Sequence, residues 1–517
     1  MPYYLGIDAS TQSVSAIVLD AAEGAIVAEA SVNFGAELPH YDAPNGFISG
    51  GELGEVHADP LMWLEGLERC IERLKEKSVD LGKVIALSGA GQQHGTVYLT
   101  QKGLQTLQVL DPARQLVDQW EGAFSRSTSP IWMDVSTGAE CREIESALGG
   151  AAAVCRRTGS VAIERFSGPQ IRKFAKRQPE AWKATARVHL VSSFLSSVLL
   201  GGDAPTEPGD AAGMNLLSLT EGSWDAQMLA ATAPGLEERL PNLVPSQTCL
   251  GTISDWWVQR HGFSPGAKVW ACTGDNPSSL VGMLAAEAGT AVISLGTSDT
   301  FFAAMEAPRT DPAGSGHVFG NPLGGWMTLQ CFINGSLARE KVRDAGGWNW
   351  EEFTHLLDAV EAGAEGSRML PFFGPEISPR LDVEAPLVAG PIADGWAGSR
   401  LSPRACVEGQ FLNMRRATAW MQLNLDRLYL TGGAAANDRI ASIAADVFGV
   451  EVARLAVTGS VALGAALRAL RGEDELGFDR VAAALRRRLA KSRITPNLEL
   501  RNLYEEAGRG IEQLLEI

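Results

Sequence analysis

The sequence predicts an α/β protein of two similar halves facing a cleft, and three observations carry that reading. Strand-like and helix-like patterns alternate over most of the chain. A strand, a small polar turn and a second strand are read at Gly6-Ile7-Asp8-Ala9-Ser10-Thr11 and again at Leu295-Gly296-Thr297-Ser298-Asp299-Thr300. The chain has 517 residues, too many for one ordinary core and suited to two domains or more. A boundary is expected near residue 260, giving a first domain over 1–260, a second over 261–470 and a helical tail over 471–517.

The elements are expected in the following order. Tyr3 to Ile7 reads as a strand, residues 8–13 as a polar turn, and Val14 to Leu19 and Ala25 to Ala30 as two further strands. Asp59-Pro60 is a helix start, a capping acid followed by proline at the first helical position. Leu61, Leu64, Leu67, Ile71 and Leu74 then recur at helical spacing. Val84 to Leu87 reads as a buried strand running into a Gly-flanked turn that holds Gln92, Gln93 and His94. Residues from about 101 to 130 show no regular pattern, and Gly201 to Gly213 reads as a loop from its Gly, Pro and Asp content. Val188 to Val191 reads as a strand, with Ser192 and Ser193 opening a helix.

The pattern restarts near Ser264-Pro265-Gly266. Val269 to Thr273 is an expected strand, Gly274-Asp275-Asn276-Pro277 a turn, and Ser278 to Ala286 a helix. Ala291 to Leu295 and Thr300 to Ala304 are strands around the second polar turn. Leu428 to Leu430, the Gly432-Gly433 turn and a helix over Asp438 to Phe448 follow, and the tail from Phe478 reads as amphipathic helices.

Composition excludes several classes. Acidic residues outnumber basic ones, 61 to 44, for a net charge of −17, and such a surface repels a phosphate backbone, so no nucleic-acid partner is expected. The seven cysteines contain no CxxC pair, which argues against a zinc site or disulfide framework and for a reducing, cytoplasmic setting. No apolar run approaches the roughly 18 residues of a membrane span, and no signal-peptide pattern precedes the first strand. No membrane partner is expected.

Both polar turns offer what a phosphate chain needs, backbone N–H groups that can approach closely and hydroxyl donors beside them. Ser10 and Thr11 supply these in the first, Gly296 and Thr297 in the second. Either turn alone is ordinarily just a hairpin; their recurrence raises the functional reading. Asp8 adds a carboxylate suited to magnesium. Gly432-Gly433 with Asn437 at a helix start would let a ligand lie against backbone. No Walker motif is present. Asp275, at a strand end before a helix, is placed either to take a proton from an alcohol or simply to cap that helix. His94 with Gln92 and Gln93 suits a polyol, although a lone histidine in a turn is more often structural. Arg165 on composition alone reads as a surface ion pair.

Six strings occur in register: Ser88-Gly89-Ala90-Gly91-Gln92-Gln93-His94-Gly95, Trp132-Met133-Asp134, Glu164-Arg165-Phe166-Ser167-Gly168, Thr273-Gly274-Asp275-Asn276-Pro277, Ser294-Leu295-Gly296-Thr297-Ser298-Asp299-Thr300 and Asn334-Gly335-Ser336-Leu337. Together they resemble the sugar-kinase family of glycerol, ribulose and xylulose kinases, most closely the xylulose kinases, over about residues 3 to 470. The resemblance implies two actin-like (ribonuclease H-like) ATPase domains flanking a deep cleft, the first mainly sugar-binding and the second mainly ATP-binding. It implies ATP- and Mg2+-dependent phosphorylation of D-xylulose to D-xylulose 5-phosphate. Asp275 is then the base, and His94, Arg165, Asp275 and Asn276 hold the sugar. Ser10, Thr11, Gly296, Thr297, Trp350, Gly432, Gly433 and Asn437 hold ATP, and Asp8 serves the metal. The family's first hairpin usually carries a Lys or Arg on its return strand, where this chain has Val14-Ser15-Ala16, with Ser15 as the equivalent. The sequence leaves open a kinase for another ketose or polyol, and a non-catalytic ATP or sugar sensor of the same fold. It also leaves open the oligomeric state, a homodimer included.

Overall fold

A computed structural model describes residues 2–48, 50–455 and 459–516. The chain folds into two compact units, and neither is continuous in sequence. The first comprises Met1–Ala286, Val318–Met327 and Thr458–Leu485; the second comprises Glu287–His317, Thr328–Val457 and Arg486–Ile517. The expected division at 260 therefore differs from the compact units. Lys268, Val269, Thr273 and Gly274 pair with the strand Val84–Gly91, so this stretch is built into the first sheet.

The first unit centres on a seven-stranded sheet. Its antiparallel strands Tyr3–Ala9, Ser13–Asp20 and Ala25–Asn33 form the expected start, each slightly longer than its apolar run. Val84–Gly91 joins parallel to Tyr3–Ala9 and extends four residues past the apolar stretch that announced it, because Ser88 to Gly91 are small enough to stay buried between packed helices. The helix Pro60–Glu76 is capped by Asp59, whose carboxylate accepts the Leu61 N–H at 2.9 Å. Leu64, Leu67, Ile71 and Leu74 enter the core with Leu5, Ile7, Val14 and Val18, and each such buried side chain contributes about 1.5–3 kcal/mol.

The helix Ser460–Glu473 packs against the first unit's sheet and against the helix Asp275–Gly282. That crossing depends on two glycines. A Cβ on Gly464 would lie 1.9 Å from Ser278 O, and one on Gly282 would lie 1.8 Å from Ser460 O. The helix beginning at Asp275 is thereby clamped from behind. Arg468, fully buried on the same returning helix, donates through Nη2 to Ala271 O at 2.7 Å, four residues before Asp275.

In the second unit, the strands Asp299–Met305, Thr290–Leu295, Arg427–Thr431, Glu451–Leu455 and Ala490–Ile494 lie side by side in that order. Thr290–Leu295 pairs antiparallel with Asp299–Met305 and parallel with Arg427–Thr431. Both turns at the ends of these strands, 296–298 and Gly432-Gly433, therefore fall on one end of the sheet. The helix Asp438–Phe448 begins and ends where its pattern indicated.

Three expectations are corrected. The stretch 101–130 holds a helix, Gln101–Gln108, whose Thr100 cap accepts the Gly103 N–H. The supposed loop 201–213 holds a short helix, Pro208–Ala211, capped by Glu207. The tail is not wholly helical, since Ala490–Ile494 separates the helices Glu475–Leu489 and Arg501–Leu515 and pairs with Glu451–Leu455.

Candidate active site

In the first unit, Thr273-Gly274 pairs with Ala90-Gly91, so Asp275 emerges beside the turn that carries Gln93 and His94. Three donors converge on one oxygen of Asp275. Oδ1 accepts the N–H of Asn276 at 2.8 Å, Asn276 Nδ2 at 3.0 Å and the N–H of Gln93 at 3.4 Å. Oδ2 keeps its lone pairs for a proton. Loss of solvent pushes the Asp275 pKa up to about 6, while the hydrogen bonds restrain it.

Asn276 spends its amide hydrogens on Asp275 and on Gln93 Oε1, at 2.9 Å, which leaves its own carbonyl oxygen as an acceptor. Gln93 Nε2 in turn donates to Gly209 O at 3.3 Å. Gln92 and Gln93 are both buried. Gln93 braces Asn276 and Gly209, while Gln92 accepts from Thr11 Oγ1 and keeps its Nε2 without a partner.

His94 sits at φ 71°, a left-handed conformation that costs a non-glycine residue about 1–3 kcal/mol. Nδ1 lies 2.7 Å from Gly213 O and so carries the proton, and the ring stacks on Phe166 with centroids 4.4 Å apart. Burial, followed by the nearby charge of Arg165, pushes its pKa down to about 3. The imidazole is therefore neutral, with Nε2 left as an acceptor. Arg165 is half-buried, its guanidinium 5.8 Å from the Phe166 ring centre. His94, Arg165, Asp275 and Asn276 thus share one region of the first unit.

Asp8 lies at the end of the first strand, directly opposite Ser15. Its Oδ1 is buried without a hydrogen-bond partner. Burial and then the charge of Asp275 push its pKa up to about 8. Ser15 instead bonds Ser31 Oγ at 3.1 Å on the next strand. The hydroxyls of the first turn are already engaged. Ser10 Oγ donates to Ser13 O at 3.0 Å, while Thr11 Oγ1 accepts from Trp132 Nε1 at 2.8 Å and donates to Gln92 Oε1 at 3.3 Å.

Two carboxylates behind Asp275 escaped the sequence reading. Glu207 is fully buried and accepts from Thr273 Oγ1, from the N–H groups of Gly209 and Asp210, and from Ser246 Oγ. Asp210, also fully buried, accepts from Ser192 Oγ and is held well above the usual carboxylate range by burial. The signal for both was present: Glu207-Pro208 is an acid followed by proline, the same start read at Asp59-Pro60.

In the second unit, Gly296, Thr297, Trp350, Gly433 and Asn437 line a single pocket of about 660 Å³, together with Ser336 and Ile440. Trp350 is 44% exposed, and its other neighbours are Arg343, 4.5 Å from the ring centre, and Phe353. Gly433 opens onto empty space, whereas Gly432 does not line the pocket: at φ 87°, it packs where a Cβ would lie 2.5 Å from Leu295 O. Asn437 caps the helix Asp438–Phe448, accepting the N–H groups of Arg439 and Ile440, and donates Nδ2 to Thr354 Oγ1 at 2.7 Å. The pocket also receives the start of the helix Ser336–Ala345, which has no side-chain cap. Ser10 and Thr11 belong to the first unit and take no part in it.

Family models match both parts of the chain. Residues 128–282 match the N-terminal domain, and residues 291–473 the C-terminal domain, of the FGGY family of carbohydrate kinases. The xylulose kinase of Rattus norvegicus is 41% identical over 474 residues, covering 90% of this chain and 88% of that protein. The chain belongs to the FGGY family of carbohydrate kinases. A second relative, xylulose kinase 2 of Arabidopsis thaliana, is 39% identical over 91% of this chain and 87% of its own length. The two-domain kinase fold recurs in a xylulose kinase structure from Rhodospirillum rubrum, with TM-score 0.82, 21% identity and coverage of 99% and 98% of the two chains. It recurs in the glycerol kinase of Plasmodium falciparum, with TM-score 0.77, 18% identity and coverage of 100% and 98%. The actin-like α/β class expected from the sequence is thus the fold of this FGGY kinase. No helix among its described residues is long and apolar enough to cross a membrane.

Proposed function

We propose that this carbohydrate kinase transfers the γ-phosphoryl group of ATP to D-xylulose, giving D-xylulose 5-phosphate and ADP. The observation that carries the mechanism is the asymmetric Asp275 carboxylate. Its Oδ1 is fixed by three donors and its Oδ2 is left to take the proton of the attacking hydroxyl. A pKa of about 6 keeps it ionised at neutral pH while bringing its proton affinity closer to the working range of a base. The sugar assignment follows the relatives named xylulose kinases.

His94 then accepts a sugar hydroxyl at Nε2 and Asn276 accepts another at its carbonyl oxygen, while Arg165 donates. A site built of such fixed donors and acceptors rejects sugars that leave one unpaired. The pocket of the second unit holds the nucleotide, with adenine against Trp350 and the Gly433 backbone. The phosphates meet the turn Gly296-Thr297 and the uncapped start of the helix at Ser336. Gly432 and Asn437 act by shaping this wall. In the first unit, Ser10 and Thr11 offer backbone donors, since their hydroxyls are engaged.

The buried, unpartnered Oδ1 of Asp8 fits a Mg2+ ion, which takes one or two carboxylates and the rest of its shell from phosphate and water. Bound there, the ion would neutralise charge on the phosphates. No disulfide joins any of the seven cysteines, which suits a reducing cytoplasm.

The test is ADP release from MgATP with a panel of ketoses and polyols. Fastest release with D-xylulose is the expected result. Fastest release with another sugar would move the substrate and keep the chemistry. ATP binding without release on any sugar would replace the kinase by a sensor.

A further inference from the structure

Beneath the turn 296–298 lies a buried ion pair that the mechanism above does not use. Arg339 Nη1 donates to Asp299 Oδ2 at 2.9 Å, and Nη2 donates to Asp299 Oδ1 at 3.1 Å, a two-pronged pair with both side chains about 2% exposed or less. Nη1 also donates to Gln410 Oε1 at 2.8 Å. Gln410 Nε2 passes the connection on to Asn334 O at 2.7 Å and Gly335 O at 3.0 Å. Asn334 is pinned in turn by Glu376, which accepts its N–H at 3.1 Å and its Nδ2 at 3.0 Å.

This network joins the two parts of the wall assigned to phosphate. Asp299 closes the turn after Ser298, and the Gly296 N–H points to its carboxylate. Ser336 N–H, at the start of the facing helix, donates to Gly296 O at 2.9 Å. Gly335 presses so tightly on the turn that a Cβ there would lie 2.7 Å from both Asp299 Oδ1 and Thr297 O. The turn and the helix start are thus held in one geometry by groups that are almost fully buried, Arg339 reaching the pocket wall and Asp299 lying behind it. A planar guanidinium with a fixed fork can do this; a flexible ammonium cannot.

We propose that Asp299 and Arg339 are positioning residues that hold the turn 296–298 and the helix start at Ser336 in register for the nucleotide's phosphates. This rests on reading the pocket as the nucleotide site. The pair sets the affinity for the phosphate chain and leaves the adenosine contacts at Trp350 and Gly433 alone.

The test compares calorimetric binding of adenosine and of MgADP to the full chain, in the wild type, Arg339→Lys and Asp299→Asn. The expected result is MgADP binding weakened by about tenfold in each variant, with adenosine unchanged, and a higher KM for ATP at an unaltered KM for the sugar. Equal weakening of adenosine and MgADP, or no weakening of either, would overturn the proposal. Failure of the wild type to bind either ligand would overturn the nucleotide reading itself, a distinguishable outcome. Because Asp299→Asn leaves the buried charge of Arg339 unpaired, the double variant D299N/R339Q serves as the second probe. It is expected to melt near the wild-type temperature and still bind MgADP weakly. Recovery of MgADP binding in it would show that charge balance alone matters and would also overturn the proposal.

Discussion

The chain contains two strand–turn–strand hairpins of similar sequence, and a carboxylate stands beside each turn. Asp8 precedes the first turn, and Asp299 follows the second. Asp299 is gripped by the two-pronged contact of Arg339 and further fixed through Gln410. Asp8 has Ser15 across the ladder and an oxygen with no partner at all. A buried carboxylate with its cation is scaffolding; one without a cation is incomplete until a proton or a metal joins it. The contrast assigns the first hairpin to chemistry and the second to holding a ligand.

The contrast can be broken at several points. The largest effect is expected at the base that Asp8 accompanies: Asp275→Asn should lower kcat by about 10³-fold with little change in sugar binding. A comparable loss of sugar affinity instead would reassign Asp275 to binding. Asp8→Asn should lower kcat by about 10²-fold and blunt its dependence on Mg2+ concentration. It should leave the melting temperature about level, since burial already holds this carboxyl largely protonated at neutral pH. His94→Ala should raise the sugar KM by about 10- to 100-fold and spare the KM for ATP, because its contacts all lie in the first unit.

The pH profile gives a further effect. Asp275 must be ionised to accept a proton, so its contribution to kcat/KM should be constant well above pH 6 and fall about tenfold per unit below it. His94, already neutral with its pKa near 3, adds no second break in that range. A fall on the alkaline side near pH 6 would contradict the assignment. The smallest effect is expected from Ser15→Lys, which places a cation opposite Asp8 and should change the KM for ATP by about threefold or less.

The sequence carried much of this. Periodicity and capping announced the helices at Pro60 and Asp438, and the two hairpins came from alternation around polar turns. Asp275, His94, Arg165 and Asn276 are legible in the sequence, as are Gly296, Thr297, Trp350, Gly433 and Asn437, five of the twelve residues lining the pocket in the second unit. What stayed hidden were non-local relations. Neighbouring residues alone could not show that Gln93 would be a buried brace, that Asn437 would spend its side chain on capping and Thr354, or that Thr11 would turn to Gln92 and Trp132. The return of Ser460–Glu473 to the first sheet depends on glycine contacts across almost 200 residues of chain. The region around Glu207 and Asp210 was legible in principle; its Gly and Pro content outweighed a helix start only a turn long.

The most direct measurement incubates the protein with MgATP and D-xylulose and follows ADP release and phosphorylated sugar together, by coupled assay and 31P NMR. The account predicts one D-xylulose 5-phosphate for each ADP, and no appreciable ADP without sugar. ADP accompanied by inorganic phosphate in place of a sugar phosphate, or no ADP at all, would contradict it.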